Sequence, residues 1–343
     1  AAENTIRAKM YHTVSTGYAG FLGALLKLRT GRPLLVSEHG IYTKERKIDL
    51  FQGEWIRDNR TLFERDAGQV AYFRDLWIRF FEALGRICYD QADRITALFE
   101  QNRLRQIHDG AAAERTQAIP NGVNIERFTP LREKRKPGVP PVLCLIGRVV
   151  PIKDVETFIR GMRSLVNRMP EAEGWIAGPE DEDPKYAHDC KILAAGLGLK
   201  DRVKFLGFQK IEDLMPDIGL VVLSSISEGL PLVMLEGYAA GVPAVATDVG
   251  SCRQLVYGLG AADVALGRSG RIVRIADPEG LARACLELLG DEKAWREAQT
   301  AAIRRVETFY RQEQMFDSFG RLYDSLLALP TVQAAPAPAV PAG

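Results

Sequence analysis

Between residues 138 and 308, short apolar runs alternate with longer stretches of helical spacing, and this alternation constrains the fold more than any other feature of the chain. Short Val-, Ile- and Leu-rich runs bounded by glycine, proline or a polar cluster fit strands buried on both faces. Intervening helices cover those faces, so the pattern predicts an α/β fold with a parallel sheet. The strand runs are 142–146, ending at Gly147; 174–177, ending at Gly178 and Pro179; 203–206, ending at Gly207; 220–223, followed by Ser224 and Ser225; 244–246; and 271–273. Helical spacing marks 155–169, 184–195, 232–240, 278–289, 292–310 and 314–327. Gly241 stands where the helix at 232–240 needs a left-handed cap.

The first half is shorter in pattern. Strand candidates are 9–14, 33–37, 95–98 and 117–119, with a long amphipathic helical stretch over 57–85. Residues 42–46 read as a polar loop. Pro120-Asn121-Gly122 is a tight turn, and 134–141 is a polar, Pro-rich connector, where the domain boundary is placed. The expected organisation is a partial first Rossmann-like domain over 1–137, a donor-binding domain over 138–308, a C-terminal helix over 309–330 packing back on the first domain, and a disordered Ala/Pro tail over 331–343. A Rossmann-like half has about six strands; with about four candidates before the boundary, the first sheet is expected to have fewer strands than the second.

Composition excludes some classes. Lys plus Arg is 45 against 44 for Asp plus Glu, a net charge of +1, which gives no support for a nucleic-acid binder. The cysteines, at 88, 144, 190, 252 and 285, form no CxxC pair, so zinc and thioredoxin-like chemistry are not indicated, and an odd scattered set fits reduced thiols in a cytoplasm. Residues 1–10 show no signal-peptide pattern, and no apolar stretch reaches membrane-spanning length.

The strongest chemical signal is Ser227-Glu228-Gly229-Leu230-Pro231-Leu232, continuing to Glu236 and Gly241. It lies where a strand ends and a helix begins. Pro231 suits a first helical turn, and Gly229 lets a ligand approach the backbone. The free N–H groups near Leu232 then face the crevice outside the strand ends, where the helix dipole favours a diphosphate. Glu228 fits near a donor sugar; Glu236 fits a ribose diol, which suits a bidentate carboxylate. The second signal is Gly147-Arg148, with Lys153 and Asp154 opening the next helix. Arg148 can fork two phosphate oxygens, and Lys153 supplies a point charge. Gly17, Gly20 and Gly23 have G-x-x-G-x-x-G spacing, which is not the dinucleotide fingerprint; close helix–strand packing or approach of an acceptor both account for it. Asp181-Glu182-Asp183 reads as a solvated loop, and no metal is expected. His12, His108 and His188 have no constellation around them in the sequence.

Together these residues resemble the retaining glycosyltransferases of family 4, whose GT-B fold has two Rossmann-like domains facing a cleft. Glu228 and Glu236 correspond to the family's E-x7-E pair, and Gly147, Arg148 and Lys153 to its Gly-Arg and Lys. The stretch Ile119-Pro120-Asn121-Gly122-Val123-Asn124-Ile125-Glu126-Arg127-Phe128 is similar to its hinge. Within the family the chain is similar to the cytoplasmic transferases of Pel exopolysaccharide synthesis. That likeness rests on Ser15-Thr16-Gly17-Tyr18-Ala19-Gly20, on the run from Ser37-Glu38-His39-Gly40 to Arg46, and on Thr247-Asp248-Val249-Gly250-Ser251-Cys252-Arg253. The resemblance implies a UDP-sugar donor, a growing polysaccharide acceptor, no metal cofactor, and recruitment by inner-membrane components of an exopolysaccharide synthase. It implies that Glu228 and His39 are catalytic, with His39 bonding a sugar hydroxyl, that Gly229 and Leu230 line the donor sugar, and that Phe208 lies beside the base. It also implies that an opening strand and glycine-rich acceptor loop precede a segment like 9–14. A sugar-nucleotide epimerase on the same fold and a non-catalytic nucleotide-binding subunit are the rival readings.

Overall fold

The structure is a computed structural model and describes residues 8–52 and 67–330. The expected tail, and the part of the 57–85 stretch before residue 67, lie outside the described residues. The chain divides into two compact units, one of residues up to Pro120 together with those from Asp317 onward, the other Asn121–Phe316. The division falls in the Pro-Asn-Gly turn, ahead of the Pro-rich connector.

The first unit runs β1 (Tyr11–Thr13), α1 (Tyr18–Thr30), β2 (Leu34–Glu38), α2 (Tyr42–Gln52), α3 (Ala67–Gln91), β3 (Arg94–Ala97), α4 (Glu100–His108) and β4 (Thr116–Ala118). Its sheet has the order β1-β2-β3-β4, all parallel, with Tyr11 opposite Leu34, Leu35 opposite Arg94 and Ile95 opposite Thr116. Two expectations need correction. The polar stretch after Ile41 is the helix α2, not a loop. The glycine series begins a helix, α1, which the sequence reading did not mark. A Cβ on Gly20 would meet Ser15 O at 2.5 Å, and one on Gly23 would meet Thr13 Cγ2 at 2.8 Å and Leu34 Cδ1 at 2.9 Å. Those two glycines let α1 lie directly on β1 and β2, so the spacing serves packing.

The second unit runs α5 (Ile125–Glu133), β5 (Val142–Ile146), α6 (Val155–Val166), β6 (Glu173–Ala177), α7 (Pro184–Gly196), β7 (Val203–Gly207), α8 (Ile211–Leu214), β8 (Leu220–Leu223) and α9 (Leu232–Ala239). It continues with β9 (Ala244–Thr247), α10 (Cys252–Tyr257), α11 (Ala261–Val264), β10 (Gly270–Val273), α12 (Pro278–Leu289) and α13 (Glu292–Phe309). A last helix, α14 (Gln312–Leu327), begins here and passes into the first unit. The sheet is parallel, in the order β10-β9-β8-β5-β6-β7, with two strands more than the first. On α6, Val155, Phe158, Ile159, Met162 and Leu165 recur at helical spacing and are all buried, packed against Leu281, Cys285 and Leu288 of α12. Each such side chain contributes about 1.5–3 kcal/mol of burial. Gly161 allows the approach, since a Cβ there would sit 3.1 Å from Leu281 Cδ2.

The strand order decides where a ligand can bind. From β5 the chain builds outward to β6 and β7, then returns to the other side of β5 for β8, β9 and β10. The loops after β5 and β8 therefore leave in opposite directions and open a crevice at their carboxyl ends, the place where open α/β sheets hold ligands.

Candidate active site of the second unit

Both motif loops stand at that switch point. After β5, Gly147 N–H bonds Ala177 O at 2.9 Å, and Gly178 lets the backbones touch, since a Cβ there would lie 1.9 Å from Gly147 O. The chain then makes a single 3-10 turn, Pro151–Lys153. Asp154 follows in the left-handed region at φ 45°, and its carboxylate accepts Thr157 N–H at 3.2 Å to cap α6. This directs Lys153 toward the loop after β8. Its Nζ lies 2.6 Å from Glu228 Oε1, and the same oxygen accepts from Ser225 Oγ at 2.6 Å. Ser224 Oγ donates to Lys153 O at 2.9 Å, so the two loops are bound through side chain and backbone together.

A third loop, after β9, holds the Glu228 turn from behind. Thr247 Oγ1 donates to Ser225 O at 2.6 Å and Ser251 N–H to Gly229 O at 2.9 Å. Gly250 has φ 53°, and a Cβ there would lie 2.3 Å from Glu228 O and 2.4 Å from Gly229 O. Pro231 is the N-cap of α9 and no side chain caps the helix; Met234 N–H bonds Pro231 O at 3.1 Å, while the N–H groups of Leu232 and Val233 keep their donor capacity for an anion. Leu230 is buried beneath the turn.

The remaining predicted residues are placed as follows. Arg148 Nη1 sits 2.6 Å from both carboxylate oxygens of Glu182, with both side chains about half exposed. A pair so open to water contributes about 0–1 kcal/mol, and exchange of Glu182 for a phosphate oxygen costs little. Of the Asp181-Glu182-Asp183 run, Glu182 thus faces Arg148, and Asp183 caps α7 by accepting Tyr186 N–H at 3.0 Å. Among the described residues, no group of three or more His, Cys, Asp or Glu could hold a metal ion. Phe208 follows Gly207 and is 78 % exposed, an open ring for stacking.

Glu236 is half-buried in α9. Burial pushes its carboxyl upward from the usual range, the Arg127 guanidinium pulls it down, and Glu212 pushes it up. The sequence reading did not single out Arg127, Glu212 or Ser225. Arg127 stands in the hinge-like stretch and Ser225 directly after a strand, which were the available signals.

His39 belongs to the first unit. It follows β2 and is exposed. Just before it, Glu38 is buried and accepts from Thr16 Oγ1 (2.9 Å), Tyr89 Oη (2.5 Å) and Gln106 Nε2 (3.1 Å), which fixes the end of the strand. Burial still holds its carboxyl above the usual range, against those three hydrogen bonds. His12 has a constellation after all: Nε2 lies 2.7 Å from Ser37 Oγ and Nδ1 2.9 Å from Tyr323 Oη of α14.

Comparison with known proteins identifies the second unit. Residues 140–291 match the family described as glycosyl transferases group 1. This segment is a glycosyl transferase group 1 domain. Residues 1–114 match a domain of unknown function, DUF3492. The D-inositol 3-phosphate glycosyltransferase of Geodermatophilus obscurus is 30% identical over 248 residues, covering 68% of this chain and 52% of that protein. The chain spans about half the length of the first curated relatives it matches. Among solved structures, sucrose-phosphate synthase from Thermosynechococcus elongatus superposes with a TM-score of 0.71 at 22% identity, covering 93% of this chain and 74% of that one. HepE from Anabaena, in complex with UDP, superposes with a TM-score of 0.70 at 19% identity, covering 92% of this chain and 79% of that one. The fold around the glycosyl transferase domain is therefore GT-B, an α/β fold with two parallel sheets in two Rossmann-like domains. No helix among the described residues is long and apolar enough to cross a membrane.

Proposed function

We propose that the protein is a retaining, metal-independent glycosyltransferase that moves a sugar from a UDP-sugar to a growing exopolysaccharide. The observation that carries this reading is the Lys153–Glu228–Ser225 cluster at the switch point, beside the uncapped start of α9. A cation and a helix N-terminus converge where a leaving diphosphate would gain charge, so stabilisation is built in before reaction. In this reading Lys153 and the Leu232 end of α9 hold the diphosphate, and Arg148 leaves Glu182 for a phosphate oxygen. Glu236 binds the ribose and Phe208 covers the base. Glu228 orients the donor sugar beside Gly229 and Leu230, and His39 bonds one of its hydroxyls. The UDP held by Anabaena HepE supports the choice of nucleotide.

The acceptor follows from the motifs at Ser15–Gly20, Ser37–Arg46 and Thr247–Arg253, which resemble those of PelF, the cytoplasmic transferase of Pel polysaccharide synthesis. Partners in this reading are inner-membrane components of the synthase. The test is thermal shift with UDP-, GDP- and ADP-sugars, then hydrolysis and transfer assays with and without EDTA. UDP-sugars should raise the melting temperature by mass action, and turnover should survive chelation. Turnover abolished by EDTA and restored by magnesium, or stabilisation by none of the three sugar nucleotides, would refute the reading.

A further inference from the structure

The turn that leads into β10 and the first half of α13 enclose a cavity of about 670 Å³ at the edge of the second sheet. That volume is in the range of small-molecule sites. It lies at the other end of the strands from Lys153 and Glu228, which stand after β5 and β8. Trp295 Nε1 donates to Gly219 O and Gln299 Nε2 to Gly241 O, both at 2.8 Å, so this part of α13 sits beside the residues that precede β8 and β9. Four cations line the cavity, Arg268, Arg271, Lys293 and Arg296, against one carboxylate, Glu297. They come from three segments that meet only in the fold: the turn before β10, β10 itself and α13. Glu287 holds Arg271 at 3.3 Å and Glu292 holds Arg296 at 3.1 Å, in pairs open enough to water that an anion can replace the carboxylate at little cost. Among the described residues the Lys293 ammonium has no hydrogen bond or ion pair, and the Arg268 guanidinium has only the Tyr257 ring, 5.7 Å from its centroid. The rim is rigid: the buried Arg305, paired with Asp263, donates to Gly267 O at 2.8 Å and so holds the turn that carries Arg268. Ala294 and Ala298, small residues of α13, leave the space beside it open.

We propose that this cavity binds a small molecule bearing a chain of phosphates, at a site separate from the donor crevice. Cations gathered around one cavity repel each other, and a ligand with several negative charges relieves that repulsion. Phosphate oxygens suit the donors present, since each guanidinium can fork two of them and Lys293 adds a point charge. A chain of phosphates, rather than a single one, reaches cations that come from three segments. Inorganic triphosphate and a nucleoside triphosphate share this chemistry. The site stands independently of the donor reading, because none of Arg148, Lys153 and Glu228 lines the cavity.

The experiment is calorimetric titration of the full chain carrying Lys153→Met, which weakens any anion site in the crevice, with inorganic triphosphate and separately with ATP. One equivalent of triphosphate should bind. Adding Arg268→Gln and Lys293→Gln should weaken that binding roughly tenfold or more, the loss expected for charged hydrogen bonds. The melting temperature should stay near that of the parent, because neither side chain is hydrogen-bonded to the fold. In the otherwise unchanged chain the same two substitutions should remove one equivalent of triphosphate and leave UDP affinity as it was. ATP binding more tightly than triphosphate makes the source a nucleotide; equal or weaker binding makes it the phosphate chain itself, and either supports the site. The proposal is overturned if Lys153→Met binds neither compound saturably, if Arg268→Gln with Lys293→Gln leaves triphosphate affinity in place, or if those two substitutions weaken UDP by the same factor. UDP that fails to bind the unchanged chain counts against the donor reading, while the triphosphate titrations still decide this one.

Discussion

The Lys153 ammonium lies 2.6 Å from Glu228 Oε1, joining residues 75 positions apart across the switch point of the second sheet. Their side chains are 23% and 12% exposed, so the pair is poorly screened by water. Truncation of one partner leaves the other charged and half-desolvated, which costs about 1–3 kcal/mol. Lys153→Met should lower thermal stability by that order and reduce sugar-nucleotide turnover by about 10²–10³, the usual loss for one electrostatic donor. Wild-type kcat in Lys153→Met would remove Lys153 from the machinery.

Gly250, like Gly178, is a position where the site tolerates no side chain. Its φ of 53° disfavours any other residue, and a Cβ would press on Glu228 O and Gly229 O. Gly250→Ala must displace the turn that carries Glu228. Strain at such a position costs about 1–3 kcal/mol, and the displaced carboxylate should cost turnover more than stability. Activity at the wild-type level, with an unchanged melting temperature, would show that the turn is free to yield.

The second unit was more legible in the sequence than the first. Strands β5 and β8 and helix α12 end where the apolar periodicity ends, because buried parallel strands are written as uninterrupted Val-, Ile- and Leu-rich runs between glycines. Helix α1 escaped notice because the spacing of Gly17, Gly20 and Gly23 left packing and acceptor approach equally open; the neighbours that decide it are the Tyr42 ring for Gly17, Ser15 O for Gly20, and Thr13 and Leu34 for Gly23. Helix α2 escaped because its polar sequence has no clear apolar face. Lys153 and Glu228 were marked by strand-end position and spacing, and the structure brings the two together. Arg127 and Glu212 lie 85 positions apart, and their pairing exists only once α5 and α8 are folded. The same holds for His12 and Tyr323, 311 positions apart.

Arg305 is fully buried, and Asp263 is the ion that neutralises it, with Nε at 2.5 Å from Oδ1. The guanidinium also donates to Asp263 O (2.9 Å), Gly267 O (2.8 Å), Val256 O (3.0 Å) and the Ser269 hydroxyl. These bonds fix the turns between α10 and β10. Asp263→Ala leaves a buried guanidinium without its counter-ion and should cost about 3–5 kcal/mol in urea unfolding. The double variant Asp263→Leu with Arg305→Met should lose less than the two single losses added together, because it removes both charges. Additive losses would mean that the two residues act independently.

Glu236 should set nucleotide binding against stability. Burial raises its carboxyl pKa in the folded state, so the native protein holds that proton to higher pH than the unfolded chain does. As pH rises past the unfolded value and through the folded one, the unfolded chain ionises freely while the folded one ionises at a cost, so stability falls across that window. At neutral pH the charged carboxylate is a burden on the fold, which the proposed role in binding ribose would account for. Glu236→Gln keeps the shape and removes the charge. It should melt at the wild-type temperature or higher at neutral pH, lose that advantage below about pH 4, and bind UDP about tenfold or more weakly, the equivalent of one lost charged hydrogen bond. Differential scanning fluorimetry across pH and calorimetry with UDP measure the two halves separately. A Glu236→Gln protein that is less stable than wild type at neutral pH, yet binds UDP as tightly, would assign this carboxylate to the fold and leave the ribose without its partner.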